Sequence, residues 1–336
     1  MSTHVLRATR ALSRVNSSFR MCHALSPYYS VIYFAQIIRN SNNNLRQYSS
    51  KAPASNGLAT TVFLEIEKAK ACDNEHVVVS HINSTVLLTL NRPKNGNALT
   101  LEMIETVTSL FKKFSEDEKI HNIIITGNGR FFCTGMDLSA SSYASGGKDT
   151  FSQMFGLFDT IAQSPKTTVA LVNGSCYGGG VGLTFVCDIR IALSPDVNFT
   201  LSETKIGFAP ATISKYITRE WGPSLAREAM LRARPVSSSE LLRLGIIQAV
   251  ANGDGSQTPV KVVENIFTEL SVSAPRARAQ CKELVASCVW DTVAEKNKII
   301  EKVYRDMMRP APEAKHALAN FRDGKKTINW EEWYGS

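Results

Sequence analysis

Residues 172–207 read VNGSCYGGGVGLTFVCDIRIALSPDVNFTLSETKIG, and this stretch predicts how the chain around it is arranged. A short apolar strand, Thr168–Val172, leads into three consecutive glycines, Gly178, Gly179 and Gly180. Glycines at the start of a helix leave unpaired backbone N–H groups uncovered, so an oxygen carrying negative charge can lie directly on them. The same glycines would also let a strand and a helix pack closely, and spacing alone leaves both interpretations open.

The glycine triplet does not match the common nucleotide-binding motifs. Gly178-x-Gly180 lacks the third glycine of G-x-G-x-x-G because Leu183 stands there, and the Gly147-Lys148 pair is followed by Asp149 rather than Ser or Thr. If the loop binds an anion, a developing oxyanion suits it better than a resting phosphate.

Three segments together resemble the enoyl-CoA hydratase/isomerase superfamily, the crotonases. They are NRPKNGNAL at 91–99, GRFFCTGMDL at 129–138, and the glycine stretch continued by FTLSETKIG at 199–207. Their order and spacing agree with the family, and the resemblance runs from about Val77 to the C-terminus. It implies an α/β fold built as a spiral of ββα repeats, with a helical C-terminal extension.

The order of apolar runs independently favours an α/β fold. Strands are expected at Val77–Val79, Val86–Leu90 and Ile123–Ile125, with a helix capped by Thr100 before the third strand. We expect four regions, namely a targeting segment 1–50, a linker or N-terminal extension 51–75, a spiral core 76–270, and a helical oligomerisation region 271–336. The resemblance implies that the last region packs on a neighbouring subunit, in a homotrimer or in a hexamer made of two trimers.

The N-terminal segment differs in composition from the remainder. No Asp or Glu occurs before Glu65, whereas seven cations fall within 1–51 among many serines and asparagines. This composition is typical of a mitochondrial transit peptide, with a disordered basic tail as the alternative, so the mitochondrial matrix is the expected location. The apolar patch 28–38 is too short for a bilayer span, which needs ~20 apolar residues.

Charge and cysteine usage exclude several classes of partner. The net charge is +8, and without the seven N-terminal cations it falls to +1, which argues against nucleic-acid binding by the folded part. The seven cysteines form no C-x-x-C pair, and only His316 follows the glycine stretch, so the sequence predicts no metal site. CoA is expected only as part of the substrate, an acyl-CoA thioester, with no separate cofactor.

The resemblance assigns catalysis to two backbone amides and one carboxylate. By motif position, the thioester carbonyl would accept hydrogen bonds from the N–H groups of Met136 and Gly179, which stabilise an enolate-like state. Glu203 occupies the position of a family acid-base residue, where burial would raise its pKa. On residue type alone, Met136 would be an apolar loop anchor and Glu203 a solvated side chain.

The chain departs from the two-carboxylate hydratases of the family at Gly182, where their first Glu stands. One carboxylate suits a 1,3-proton shift, which favours a Δ3,Δ2-enoyl-CoA isomerase. The pattern GGGVGL followed by FTLSETKIGFAPATIS is nevertheless similar to the methylglutaconyl-CoA hydratases, which act on short β-branched acyl groups in leucine catabolism and also carry Gly there. The sequence therefore predicts such a hydratase. The isomerase is one alternative, and an inactive crotonase-fold interaction protein is another.

The first two motifs are expected to hold CoA. In the family, the segment that here contains Arg92, Lys94 and Ala98 meets the nucleotide and the pantetheine. Arg92 or Lys94 could pair with CoA phosphates, or both could be solvated. Asp137 and Leu138 are expected on the adenine side.

Two further expectations concern the glycine stretch. Cys176 and Tyr177 are expected to line the acyl pocket, and Tyr177 and Gly178 are expected to bind the substrate. Asp188 and Arg190 are expected to form a structural ion pair without a catalytic role.

Overall fold

The computed structural model describes residues 57–72, 75–137, 148–206, 208–252 and 256–290, together with 312, 313, 316, 319, 320, 323 and 328–335. These residues belong to one compact unit, Ser55–Ser336. The expected targeting segment 1–50, Leu138, and most of the expected helical region 271–336 beyond Trp290 lie outside the described residues. None of the described helices is both long and apolar enough to cross a bilayer.

Ten strands and nine helices are described, in an alternating order that confirms the expected α/β class. The strands are β1 Val77–Ile82, β2 Thr85–Leu90, β3 Asn122–Gly127, β4 Phe131–Cys133, β5 Thr167–Val172, β6 Ser175–Tyr177, β7 Ile189–Ala192, β8 Asn198–Thr200, β9 Pro235–Ser237 and β10 Ala249–Val250. The helices are α1 Gly57–Ala69, α2 Leu101–Glu116, α3 Lys148–Gln163, α4 Gly179–Phe185, α5 Ser214–Arg232, α6 Ser238–Arg243, α7 Pro259–Ser271, α8 Pro275–Trp290 and α9 Trp330–Gly335. Short 3₁₀ helices lie at Pro93–Asn95 and Glu203–Ile206.

The larger sheet has the strand order β1-β2-β3-β5-β7-β10, and all neighbours except β1 and β2 are parallel. Both of its faces are covered, which is why β2, β3 and β5 are buried along their whole length. Alternate side chains such as Ile123 and Ile124 therefore belong to two different apolar clusters, one on each face. Thr100 caps α2 as expected, and its side-chain oxygen accepts a hydrogen bond from the Met103 amide at 3.2 Å.

The folded part begins earlier than expected, because helix α1 lies inside the segment 51–75. Its buried residues are Ala59, Val62, Ile66 and Ala69, and the first three join the apolar cluster that also contains Phe267 of α7. Their spacing of three and four residues places them on one face of the helix, which packs on α7. Gly57–Ala69 of this segment is therefore a packed helix rather than a linker.

Helix α8 is tied to the starts of the parallel strands of the same chain. Arg278 donates to the side chains of Asn122 and Thr167, which open β3 and β5, at 2.8 and 2.9 Å. Lys282 donates to Asp188 at 2.6 Å, just before β7. Packing of the C-terminal region on a neighbouring subunit remains a prediction.

The expected ion pair between Asp188 and Arg190 is wrong. The Asp188 carboxylate accepts hydrogen bonds from the amide and hydroxyl of Thr168, both at 2.8 Å, in addition to the bond from Lys282. Arg190 instead reaches Glu220 of α5 at 3.1 Å. Asp188 directly precedes β7 and accepts hydrogen bonds from the start of the neighbouring strand β5. Arg190 lies within β7 and faces the helix layer.

Asn97 holds the first two motifs together from a fully buried position. Its side-chain oxygen accepts a hydrogen bond from the Arg92 amide at 2.8 Å. Its side-chain nitrogen donates to the carbonyl oxygens of Asn128 at 2.9 Å and Phe131 at 2.8 Å. Its φ of 56° lies in the left-handed region, which Asn tolerates better than most residues.

We expect Asn97→Gly to lower the free energy of unfolding by about 2–4 kcal/mol, because it leaves buried backbone groups of both motifs without hydrogen-bond partners. Glycine tolerates the positive φ, so the loss reports the hydrogen bonds rather than backbone strain. Urea denaturation measures the change. Asn83→Gly is the matched control, since Asn83 has a φ of 52° but is exposed in the β1–β2 turn, and its change should stay within about 0.5 kcal/mol. Equal losses in the two variants would refute the role given to Asn97.

Candidate active site

Three adjacent parallel strands of the smaller sheet end beside one another. Strands β4, β6 and β8 are neighbours in the order β4-β6-β8-β9, and the first three run parallel. The segments that follow them carry Met136, Gly179 and Glu203, each within three residues of its strand. The carboxyl ends of parallel strands are a common place for ligands, because the loops there converge. The fold thus brings together the three residues predicted to be catalytic.

Two unpaired backbone amides lie close together at this edge. A Cβ placed on Gly179 would lie 3.7 Å from the Met136 nitrogen, and one on Gly135 would lie 3.1 Å from the Gly179 nitrogen. Gly179 opens α4, so its N–H has no partner within the helix, and neither this N–H nor that of Met136 donates a hydrogen bond to any described residue. The Met136 loop is held by Leu99, whose backbone bonds Gly135 and Asp137 at 2.8 and 2.9 Å.

The carboxylate of Glu203 lies against the first glycine of the triplet. A Cβ placed on Gly178 would meet Glu203 Oε1 at 3.3 Å, and Gly178 has a φ of 48°, so only glycine suits this position. Glu203 Oε2 is buried and has no hydrogen-bond partner among the described residues. Burial raises the pKa of the Glu203 carboxyl above its ordinary value of 4.5, opposed by a hydrogen bond from its own backbone amide. A carboxyl with a raised pKa holds its proton more readily than an exposed one, which suits a group that acts as both acid and base.

Position 182 has no room for a second carboxylate. A Cβ on Gly182 would lie 2.1 Å from Ile213 Cγ2 and 3.2 Å from Phe158 Cζ. Both neighbours are buried core residues, so the space cannot be opened by rotating a surface side chain. The site therefore contains Glu203 without a partner carboxylate at the position expected from the two-carboxylate pattern.

The residues expected to bind CoA are only partly available for it. Arg92 donates from Nη1 to Asp137 Oδ2 at 3.0 Å and to the Ala98 carbonyl at 2.7 Å. The structure therefore brings Arg92, Ala98 and Asp137 together, with the Arg92 charge already paired. Lys94 is exposed on the 3₁₀ helix beside them, which leaves it as the cation of this group that can approach a phosphate without losing a protein partner.

Tyr177 is half-buried, and its ring meets that of Phe131 edge to face at a centroid distance of 6.0 Å. Met154 was not predicted to lie at the site, yet its Cε lies 3.2 Å from the position of a Cβ on Gly179. The available signal was the apolar spacing of Met154, Leu157 and Ile161 along α3, which indicated a buried face but not the residues that this face contacts.

Across the described ranges, no three His, Cys, Asp or Glu side chains gather in an arrangement suited to a metal ion.

Comparison with known families agrees with this arrangement. The sequence model of the enoyl-CoA hydratase/isomerase family matches residues 80–332, which is most of the chain. The chain belongs to the enoyl-CoA hydratase/isomerase family. It is 42% identical over 249 residues to enoyl-CoA hydratase AFT6-1 of Alternaria alternata, covering 74% of this chain and 82% of that protein. It is 31% identical to the mitochondrial enoyl-CoA hydratase of Pongo abelii, covering 66% of this chain and 76% of that protein.

Two solved structures have the same fold. An enoyl-CoA hydratase/isomerase from Marinobacter aquaeolei superposes with a TM-score of 0.69 at 24% identity, covering 76% of this chain and 99% of that one. Pseudomonas aeruginosa AtuE also gives a TM-score of 0.69, at 26% identity, covering 75% of this chain and 98% of that one. The expected crotonase-type fold is confirmed, and the chain is an enoyl-CoA hydratase/isomerase enzyme.

We expect Glu203→Gln to be more stable than the wild type at pH 7, with the advantage shrinking as the pH falls toward 4.5. The folded protein binds the Glu203 proton more tightly than the unfolded chain, because burial raises the pKa. The wild type therefore loses stability as the pH rises from about 4.5 through the pKa of the folded state. Gln does not titrate, so the variant does not lose stability in this way as the pH rises. Urea denaturation at several pH values measures the difference.

Glu240→Gln is a control for which the opposite change in stability is expected. Arg234 donates to Glu240 Oε1 at 2.9 Å and lowers the pKa of that carboxyl, so the wild type has stability that is present near neutral pH and lost in acid. This variant should be less stable than the wild type at pH 7, with a deficit that shrinks as the pH falls. The same pH trend in both variants would contradict the environment described for Glu203.

Proposed function

We propose that this enzyme adds water to, or removes it from, a short β-branched enoyl-CoA thioester of the 3-methylglutaconyl-CoA type, with Glu203 as its single acid-base residue. One observation carries the proposal: the Glu203 carboxylate, with a buried unbonded oxygen, lies against Gly178, which directly precedes one of the two unpaired amides, while the position of a second carboxylate is filled by Ile213. The relatives named enoyl-CoA hydratase support water addition as the reaction.

The geometry supports a sequence of two proton transfers through one residue. The thioester oxygen would accept hydrogen bonds from Met136 and Gly179, and each donor of this kind typically lowers the barrier by about 3 kcal/mol. Ionised Glu203 takes a proton from water as the water oxygen bonds to C3, and the electron pair of the double bond moves toward the thioester oxygen. Protonated Glu203 then delivers that proton to C2. The net change is one water across the double bond, with Glu203 returned to its ionised form.

The branched acyl group rests on the likeness of GGGVGL and FTLSETKIG to the methylglutaconyl-CoA hydratase pattern, which includes glycine at position 182. An apolar neighbour in place of a carboxylate agrees with that pattern, because it suits a carbon substituent better than a held water molecule. A role in leucine breakdown follows from the same likeness and is part of the proposal.

A Δ3,Δ2-enoyl-CoA isomerase is the second candidate, and the filled space at Gly182 is the observation that favours it. A 1,3-proton shift needs one base to remove a proton from one carbon and return it to another. It needs no bound water, so a site with one carboxylate and an apolar neighbour is sufficient for it.

The two candidates give different products in deuterium oxide. We expect purified enzyme incubated in D2O with 3-methylglutaconyl-CoA to form a 3-hydroxylated product that carries deuterium at C2. Glu203→Gln should lower the rate at least ~100-fold because the proton carrier is lost. Mass spectrometry and NMR of the thioester measure both results. Glu269→Gln, which removes an exposed carboxylate, is the matched control and should retain the wild-type rate.

Migration of the double bond in a 3-enoyl-CoA, without formation of hydroxylated product from either substrate, would contradict the hydratase function and support the isomerase function. Hydration that persists at the wild-type rate in Glu203→Gln would remove Glu203 from the mechanism.

A further inference from the structure

The amide of Gly135, the residue before Met136, donates a hydrogen bond to a sulfur atom. Its partner is Cys133 Sγ at 3.4 Å, two residues earlier in the chain. Gly135 is buried, and no described residue other than Cys133 accepts a hydrogen bond from its N–H group. A side-chain acceptor two residues before an N–H group is the arrangement by which Ser and Asn fix turns, here with a thiol as the acceptor. The sulfur therefore satisfies a buried donor at the point where the loop turns toward Met136.

The bond to sulfur supports the loop at a place that backbone contacts leave open. Leu99 fixes the peptide that contains the Met136 N–H, because the Leu99 amide donates to the Gly135 carbonyl at 2.8 Å. The preceding peptide, which joins Thr134 to Gly135, has Cys133 Sγ as the partner of its N–H. Gly135 links the two peptides with a φ of 94°, and glycine itself offers little resistance to rotation. Both peptides must therefore be held for the Met136 amide to keep its direction.

Cys133 also contacts the segment that carries the second donor. A Cβ placed on Gly180 would lie 2.9 Å from Cys133 Cβ, and Gly180 directly follows Gly179. Cys133 is fully buried at the end of β4, and burial raises the pKa of its thiol to about 12. The sulfur is thus a neutral thiol near neutral pH, which accepts from the Gly135 amide without placing a charge beside the two donors.

We propose that Cys133 is a positioning residue, whose sulfur holds the Gly135 peptide so that the Met136 amide points at the thioester oxygen. This inference rests on the proposed function, in which Met136 and Gly179 donate to that oxygen. Cys133 does not touch the substrate and acts through the loop that it orients. Donors to a developing oxyanion must be placed accurately, since a displacement of about 1 Å can cost up to ~100-fold in rate.

Two substitutions separate the hydrogen bond from the packing. Cys133→Ala removes the acceptor and leaves the buried Gly135 amide without a partner. Cys133→Ser keeps an acceptor on Cβ and can form the same turn with the amide two residues later. Cys187→Ala is the matched control, because Cys187 is also buried but its sulfur donates to the Leu183 carbonyl at 3.4 Å, toward the opposite end of α4 from Gly179.

The first readout is steady-state kinetics with 3-methylglutaconyl-CoA. We expect Cys133→Ala to lower kcat about 10-fold with little change in KM, because a misdirected donor loses contact mainly with the charged transition state. Cys133→Ser and Cys187→Ala should stay within about threefold of the wild type, because both retain an acceptor for the Gly135 amide.

The second readout is the infrared band of the thioester carbonyl, labelled with ¹³C and bound to each variant in the Glu203→Gln background. The parent should lower the frequency of this band relative to water, because the donors polarise the carbonyl bond. We expect Cys133→Ala to reduce this shift and Cys133→Ser to restore it. Loss of packing alone would not distinguish the two variants in this way, since both remove the sulfur.

A band as low in Cys133→Ala as in its parent, or a shift reduced equally in Cys133→Ser, would overturn the role of Cys133. An unshifted band in the parent would overturn the two donors together with this inference. Double-bond migration without hydration would instead reject the hydratase function. The carbonyl band would still decide the role of Cys133 in that case, because it requires a bound thioester and not a particular reaction.

Discussion

The contact between the start of helix α4 and strand β4 is the constraint on which the active site depends. A Cβ on Gly180 would lie 2.1 Å from the Cys133 carbonyl oxygen, so the helix can begin at this place only without a side chain at that position. Cys133 of β4 also lies opposite Cys176 of β6 in the register of these two parallel strands. Because both strands end there, the amides of Met136 and Gly179 become neighbours. Any residue that pushed α4 away from β4 would separate the two donors.

The electrostatics of the site differ from those of the surrounding framework. Near the larger sheet, Arg190 is paired with Glu220 and Lys282 with Asp188. At the strand ends, a carboxylate oxygen and two N–H groups are left without partners among the described residues. Unpaired polar groups of this kind cost stability, and they are tolerated where a substrate or transition state supplies the missing partner. The raised pKa of Glu203 follows from the same lack of solvation.

Features specified by local sequence could be predicted, and features specified by tertiary contacts could not. Apolar runs predicted β2, β3 and β5, and Thr100 predicted the start of α2, because hydrophobic pattern and capping act over a few residues. The catalytic positions were predictable from the motif resemblance, because each of them lies within three residues of the end of the strand before it. Helix α1 was missed although its apolar spacing was present, because the folded part was expected to begin only after the polar segment near 69–75.

Tertiary contacts explain the remaining differences. Helix α5 was not predicted, because Gly222 and Pro223 interrupt it, and Gly222 has a φ of 72°. The Asp188–Arg190 pair was wrong because each residue found a partner from a distant part of the chain. The contact between Ile213 and Gly182 joins residues in different elements, and no spacing along the chain indicates it.

The most direct test of the site is the carbonyl stretching frequency of a bound thioester, measured by isotope-edited infrared spectroscopy with 3-methylglutaconyl-CoA carrying ¹³C at the thioester carbon. The Glu203→Gln variant is used because its expected rate is at least ~100-fold lower, which should let the bound state be observed before turnover. We expect the carbonyl band to move to lower frequency than in water, because two fixed N–H donors polarise the bond more strongly than solvent does. A band at the frequency found in water, or above it, would contradict the assignment of Met136 and Gly179 as the donors that stabilise the enolate.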